Sequence, residues 1–252
     1  HKDLLEAEYE DFDSLKIDIK NLVGKNGLAS IMSYEETSNP PSKHNYKFLD
    51  SKMENIFLRE NIGKYSSKIK NILDCIEGSS GPIIIYSQFI DGGLIPLALA
   101  LESYGMRRYG NNRNLLSDDI LKTIEEIDVK FYKNKTDTLK EHKSFKGGKY
   151  VMITGDKKLT SNLESDLNAC TNSNNSEGEF VKVILLSMAG SEGLDFKFIR
   201  QIHILEPWYN INRIDQIIGR GVRTCSHKDL PLNERNVKIY LHGTQISNET
   251  IE

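Results

Sequence analysis

Strand-length runs dominated by apolar residues recur along this chain, and their spacing constrains the fold more than any other feature. Ile83-Ile84-Ile85-Tyr86 and Tyr150-Val151-Met152-Ile153 are the clearest, and residues 181–186, 201–205 and 237–241 read the same way. A short continuous apolar run is the habit of a strand buried on both faces, as in a parallel sheet. Helical patterns separate most of these runs. From Lys64 onward Tyr65, Ile69, Ile72, Leu73 and Ile76 recur at helical spacing, with Gly78 as a stop. Leu94, Leu97, Leu99, Leu101 and Tyr104 mark a second helix that ends at Gly105. Strands alternating with helices predict an α/β domain in which helices cover both faces of a parallel sheet and ligands sit beyond the carboxyl ends of the strands. Loops leaving those ends are where chemistry is expected.

Two regions stand outside this rhythm. Residues 106–148 are rich in Lys, Asn and Asp, with one helix expected over 118–128, and are too long for a plain connection. They read as an insertion that serves as a solvated loop, a nucleic-acid clamp or a partner site. Residues 3–13 mix acids with Leu4, Leu5, Tyr9 and Phe12, which suits a connecting helix or a frayed linker, and Ser38-Asn39-Pro40-Pro41-Ser42 marks a loop or boundary. The expected organisation is a linker or extra helical segment over 1–60, followed by the α/β domain over 61–252.

At 252 residues the chain can bury one sizeable core, and its net charge of −3 means that any nucleic-acid contact must be local. No run reaches the roughly 18 apolar residues of a membrane span, and the start at His1 has no leader pattern, so no membrane partner is expected. Cys75, Cys170 and Cys225 are odd in number and far apart, which points to reduced thiols in an intracellular protein and argues against a disulfide or zinc framework. A chain that opens on His1 also reads as a piece of a longer protein.

The strongest chemical signal is a helix expected over residues 210–224. Arg213, Gln216, Arg220 and Arg223 are spaced three, four and three apart, placing them on one face, while Ile211, Ile214, Ile218 and Val222 follow the other. A solvated basic face is the ordinary fate of such a helix, but arginine is also the side chain whose planar fork binds phosphate oxygens bidentately. Gly219 is expected to keep the approach to Arg220 open. Upstream, Ser187-Met188-Ala189-Gly190-Ser191-Glu192-Gly193-Leu194-Asp195-Phe196 follows a strand directly, and small residues there free backbone N–H groups to face an anion. Asp195 can hydrogen-bond a ribose or orient an arginine.

The string Gln216-Ile217-Ile218-Gly219-Arg220-Gly221-Val222-Arg223 resembles motif VI of superfamily-2 helicases, and residues 187–196 resemble their motif V, in the order that family requires. Residues 83–89 look like motif IV, and Ile153-Thr154-Gly155 like the Thr-Gly element that meets a phosphate backbone. The segment from Ile199 to Asn210, with Ser226-His227, Leu230-Pro231 and Glu234-Arg235, is similar to helicases of large nucleocytoplasmic DNA viruses, including the poxvirus early transcription factor small subunit, African swine fever virus and giant-virus relatives. The likeness covers roughly Lys64 to Tyr240.

What the resemblance implies is the second, C-terminal RecA-like lobe of an ATP-dependent helicase or translocase. Arg220 and Arg223 would act as catalytic arginine fingers on a triphosphate held by the first lobe. Gln216, Gly193, Asp195 and Gly219 would line the ATP, and Ser87, Gln88, Thr154, Gly155 and Ser187 would hold DNA or RNA. ATP and Mg²⁺ would be held mainly by the first lobe, because no Walker A or Walker B string stands here: Val23-Gly24-Lys25-Asn26 lacks both the upstream glycine and the Ser or Thr of a P-loop. This chain alone would then be inactive. Partners would be nucleic acid, the first lobe and viral transcription machinery; the place would be the cytoplasmic viral factory or the virion. Two alternatives stay open, a non-catalytic scaffold lobe and a chromatin-remodeller-like translocase of double-stranded DNA. His203 is expected to be a packed core histidine, and Trp208 either to rest against the sheet or to stack on a base.

Overall fold

The computed structural model describes residues 24–34, 46–190 and 193–244. The expected features over residues 3–13 and 38–42 lie outside them. The chain enters through α1 (Gly24–Ala29) and a small antiparallel pair, β1 (Met32–Tyr34) with β2 (Tyr46–Phe48). Leu28, Met32 and Tyr46 are buried in the same cluster as Ile56 and Phe57, so these parts rest on the main core. Next come α2 (Arg59–Ile62) and α3 (Ser67–Glu77). The hydroxyl of Ser66 accepts the Ile69 N–H to start α3, and the helix buries Ile69, Ile72, Leu73 and Ile76, its expected stripe.

β3 (Ile83–Tyr86) leads through a π-turn at Ile90–Leu94 into α4 (Ile95–Ser103), which is buried on nearly every side. The stretch expected to be an insertion contains β4 (Arg107–Arg108), α5 (Asp118–Thr123) and α6 (Lys135–Glu141). It also buries Met106, Leu115, Leu116, Leu121 and Ile127. The helix expected over 118–128 stops early because Ile124 is extended, and Arg107 caps the freed carbonyls by donating to Leu121 O and Ile124 O at 3.3 and 2.6 Å. The rest of the lobe is β5 (Lys149–Ile153), α7 (Leu163–Thr171), β6 (Val183–Leu186), β7 (Gln201–Ile204), α8 (Ile211–Gly221) and β8 (Lys238–Leu241).

The main sheet has the order β4-β5-β6-β3-β7-β8, and every pairing in it is parallel. Alternate residues feed two cores. Ile83, Ile85, Tyr150, Met152, Val183 and Leu185 face α3 and α4, while Ile84, Tyr86, Val151, Ile153, Ile184, Leu186, Ile202 and Ile204 face α7 and α8. β3 therefore lies at the centre, and the carboxyl ends of β5, β6, β3 and β7 form one edge from which the loops at 154, 187, 87 and 205 depart.

Candidate nucleotide and nucleic-acid edge

α8 starts at Asn210, whose side chain accepts the Asn212 N–H at 3.1 Å, and it is held down by Ile214, Ile217 and Gly221. This corrects the expected packing face: Ile211 and Val222 are 64% and 46% exposed. The helix ends at Gly221, so Val222 and Arg223 lie past its last turn and no longer follow its phase. Gly221 is the glycine that packing demands, because a Cβ there would meet Ile199 Cγ2 and Ile202 Cδ1, each at 3.1 Å. At Gly219 an added Cβ would meet nothing within 4 Å, so the surface beside Arg220 is open.

Motifs V and VI meet at this helix end. Arg223 Nη1 pairs with Asp195 Oδ2 at 2.7 Å, and Arg223 Nε donates to Gly219 O at 3.3 Å. Arg220 Nη1 donates to Leu194 O at 3.4 Å, while its own carbonyl accepts the Phe196 N–H at 2.9 Å. Gln216 is exposed, and Gly193 adopts φ +72°, the left-handed turn that lets the chain double back toward Leu194 and Asp195. The structure thus gathers Gly193, Asp195, Gly219, Arg220 and Arg223. Both side chains of the Asp195–Arg223 pair are about half exposed, which keeps it weak and exchangeable.

The second group of expected contacts divides into inward and outward members. Ser187 is buried, and its hydroxyl accepts the Gly190 N–H at 3.2 Å, so it shapes the motif V loop. Gly155 and Ala189 touch, since a Cβ on Gly155 would lie 2.8 Å from Ala189 Cβ. Thr154 was expected to offer its hydroxyl to a phosphate; instead that oxygen is 3.0 Å from Thr160 Oγ1 and braces the turn from within. Exposed positions on the same loop are 155–158, including Lys157 and Lys158. Ser87 is likewise turned inward, donating to Glu206 Oε2 at 2.8 Å and accepting the Phe89 N–H at 3.0 Å. Gly93 lies over it, and a Cβ there would come within 2.1 Å of Ser87 Oγ. Burial raises the Glu206 carboxyl above its usual range, opposed by the Ser87 hydroxyl and the Gln88 N–H.

Gln88 points outward and accepts from Arg213 Nη1 at 3.5 Å. Arg213 also reaches Met188 of the motif V loop and lies 5.6 Å from the Trp208 ring centre. Trp208 is 38% exposed, with its ring tilted against that of Tyr209, which is 90% exposed. Arg213, expected on the guanidinium face of this helix, turns to Gln88, Met188 and Trp208, and Glu206 is an organising residue to which sequence reasoning gave no site role. A charged residue directly after a strand, as in Leu205-Glu206-Pro207, was the available signal for Glu206. His203 is fully buried, between His242 Nε2 at 2.9 Å and Gln201 Oε1 at 3.0 Å, as expected of a core histidine.

A parallel sheet whose carboxyl edge brings together a motif V loop and the arginines of motif VI defines the C-terminal RecA-like lobe of a superfamily-2 helicase. Residues 114–225 match the helicase conserved C-terminal domain family, and the chain carries that lobe in the form found in helicases of large DNA viruses. It is 36% identical over 186 residues to the termination factor NPH-I homolog of African swine fever virus (isolate Tick/Malawi/Lil 20-1/1983), covering 70% of this chain and 26% of that protein. It is 35% identical over 204 residues to a putative ATP-dependent RNA helicase of Acanthamoeba polyphaga mimivirus, covering 78% of this chain and 35% of that protein. Over 77 residues it is 44% identical to nucleoside triphosphatase I of Choristoneura biennis entomopoxvirus, covering 31% of this chain and 12% of that protein. The chain thus spans a third or less of the length of most of these relatives. Among solved structures, the C-terminal part of the Fun30 ATPase domain aligns at 13% identity with a TM-score of 0.38 over 81% of this chain and 57% of that chain, too loosely to add to the argument.

Proposed function

We propose that this lobe works within a longer ATP-dependent helicase or translocase, where Arg220 and Arg223 complete a nucleotide site whose triphosphate is held by the first RecA-like lobe. The observation that carries this reading is the meeting of Arg223, Asp195 and Arg220 beside the open surface at Gly219. A guanidinium parked on a half-exposed carboxylate is held near its working position, and an exposed pair contributes only about 0–1 kcal/mol, so phosphate oxygens can displace the carboxylate at little cost. These residues fit the phosphates of ATP. Among the described residues no group of three or more His, Cys, Asp and Glu gathers that could hold a metal ion, and the reading assigns Mg²⁺ to the first lobe. When bound, ATP with its Mg²⁺ supplies the phosphoryl group that is transferred to water. Arg220 and Arg223 would stabilise the charge that develops on it.

Nucleic acid, DNA or RNA, is proposed to run along the same edge, over the crest at 155–158, the motif V loop, Gln88 and the exposed aromatic pair Trp208 and Tyr209. Ser87, Thr154 and Ser187 shape that edge from beneath. That the African swine fever virus relative is a termination factor homolog supports a setting in viral transcription, and cytoplasmic viral factories or virions are proposed as its place. The test is Arg223→Ala in the full-length protein: kcat for ATP hydrolysis should fall by about 10³-fold, and wild-type turnover would defeat the assignment.

A non-catalytic scaffold lobe is the second reading, favoured by the internal engagement of both guanidiniums. It expects full nucleic-acid binding with no ATP turnover in the full-length protein, whichever arginine is present.

A further inference from the structure

The polar stretch between α4 and β5 takes no part in the function proposed above, yet its first residues reach directly under the crest at 155–158. Asn112 is buried and spends its whole amide on this contact. Its Nδ2 donates to Asp166 Oδ1 at 2.8 Å and to Tyr109 O at 3.1 Å, and its Oδ1 accepts from Ser161 Oγ at 2.9 Å and Asn162 Nδ2 at 3.1 Å. Arg108 is buried beside it, donating from Nη1 to Arg113 O at 3.1 Å and from Nη2 to Leu159 O, while its N–H donates to Asn114 Oδ1 at 2.8 Å. Asp166, wholly buried in the first turn of α7, completes the set.

These bonds fall on one side of the loop, at Leu159, Ser161 and Asn162; the other side is tied at Thr154 by Thr160, which also donates to Met152 O at 3.0 Å. Between the two anchors the crest carries bonds of its own and rests at Gly155 against Ala189 of the motif V loop. Asp156 O accepts the N–H groups of Leu159 and Thr160 at 3.1 and 2.9 Å, and Asp156 Oδ1 accepts the Lys158 N–H at 2.8 Å. These bonds set its internal shape, while residues 159–162, which carry it on the side away from Thr154, are held by Arg108 and Asn112. Arg108 Nε and Asp166 Oδ2 are buried with no hydrogen-bond partner, whereas every polar atom of the Asn112 amide is satisfied, and a satisfied buried polar group fixes one geometry where apolar packing tolerates several.

We infer that Asn112, supported by Arg108 and Asp166, is a positioning residue that sets the 155–158 crest at the level where it meets a nucleic-acid backbone. The inference rests on the reading of this edge as the nucleic-acid face. It gives the beginning of the polar stretch a task that its composition does not announce.

The test measures binding of the 252-residue chain to fluorescent oligo(dT) and oligo(U) across a salt series, with a thermal melt for each variant. Asn112→Ala should weaken binding roughly fivefold to thirtyfold, as expected when a buried partner of several hydrogen bonds is lost, and should lower the salt slope by about 1 as a phosphate contact is lost. A merely destabilised fold would lower the bound fraction and leave that slope unchanged, and this outcome overturns the inference. Asp166→Asn, which keeps an acceptor for Asn112, should bind within twofold of wild type, whereas Asp166→Ala should resemble Asn112→Ala. If Asn112→Ala does not fold, Ser161→Ala decides: weaker binding supports the inference and wild-type binding overturns it. Lys157→Ala separates the two levels of argument. If it weakens binding while folded Asn112→Ala does not, the positioning role falls and the edge stands; if neither weakens it, or wild type binds neither probe, the edge itself is misassigned and the inference falls with it.

Discussion

Gly190 and Ile153 approach so closely that a Cβ on Gly190 would stand 2.1 Å from the Ile153 carbonyl oxygen and 2.9 Å from Thr154 N. This contact locks the motif V loop onto the Thr-Gly loop, since backbone cannot retreat as a flexible side chain can. Gly190→Ala should therefore part the two loops, costing about 1–3 kcal/mol of stability and weakening nucleic-acid binding in parallel. Urea unfolding and oligonucleotide titration of the same sample check both; an unchanged midpoint would show that the approach is not required.

Gly219 and Gly221 should respond in opposite ways. Gly219→Ala adds a methyl to open space inside a helix, so stability should rise by about 0.5–1 kcal/mol. In the full-length protein the same methyl crowds the surface beside Arg220, and ATPase activity should fall. Gly221→Leu drives side-chain atoms into Ile199 and Ile202 and should cost about 1–3 kcal/mol. Thermal melts of the two variants, expected to move in opposite directions, decide this.

Asp195→Asn removes the anion on which Arg223 rests. Because both groups are half exposed, stability should change by no more than about 1 kcal/mol. ATP turnover of the full-length protein should drop at least tenfold if the carboxylate aims the guanidinium, and turnover within twofold of wild type would remove Asp195 from the site.

His203 predicts an acid limit to stability. Burial, with His242 beside it, lowers its pKa to about 3, so the fold holds the neutral ring. A group whose folded pKa lies below its unfolded value of about 6.5 contributes stability that is complete above that pH and is lost as pH falls toward 3. About 2 kcal/mol should be gone by pH 5. Unfolding midpoints at pH 7 and pH 5 should differ less in His203→Gln than in wild type, and equal losses would assign the acid limit elsewhere.

The sheet was legible because its central strands are buried on both faces and must be apolar end to end, so Ile83–Tyr86 and 150–153 announce themselves. β4, two residues long, and the β1–β2 pair, three residues each, are too short to leave a period. Motifs V and VI were legible as strings, and their meeting follows from the sheet order. What the strings could not show is where a hydroxyl at a strand end points. Ser87 and Thr154 face inward because Gly93 and Thr160 sit on them, and that depends on chain packed from elsewhere. The helix phase failed at Val222 for a related reason: α8 stops one residue earlier, and Val222, at φ −108° and ψ 84°, leaves the helical course and stays exposed.

The central strand has consequences for how the molecule is made. Ile83 waits for Val183 on one side and Gln201 on the other, partners that follow it by about a hundred residues, and closing chain segments that long slows assembly. During synthesis the β3 segment must leave the ribosome with both flanks bare, exposing an apolar ribbon until β7 emerges. The arginine pair, one on the helix that follows β7 and the other just past its end, therefore reaches its place only once the sheet is nearly closed.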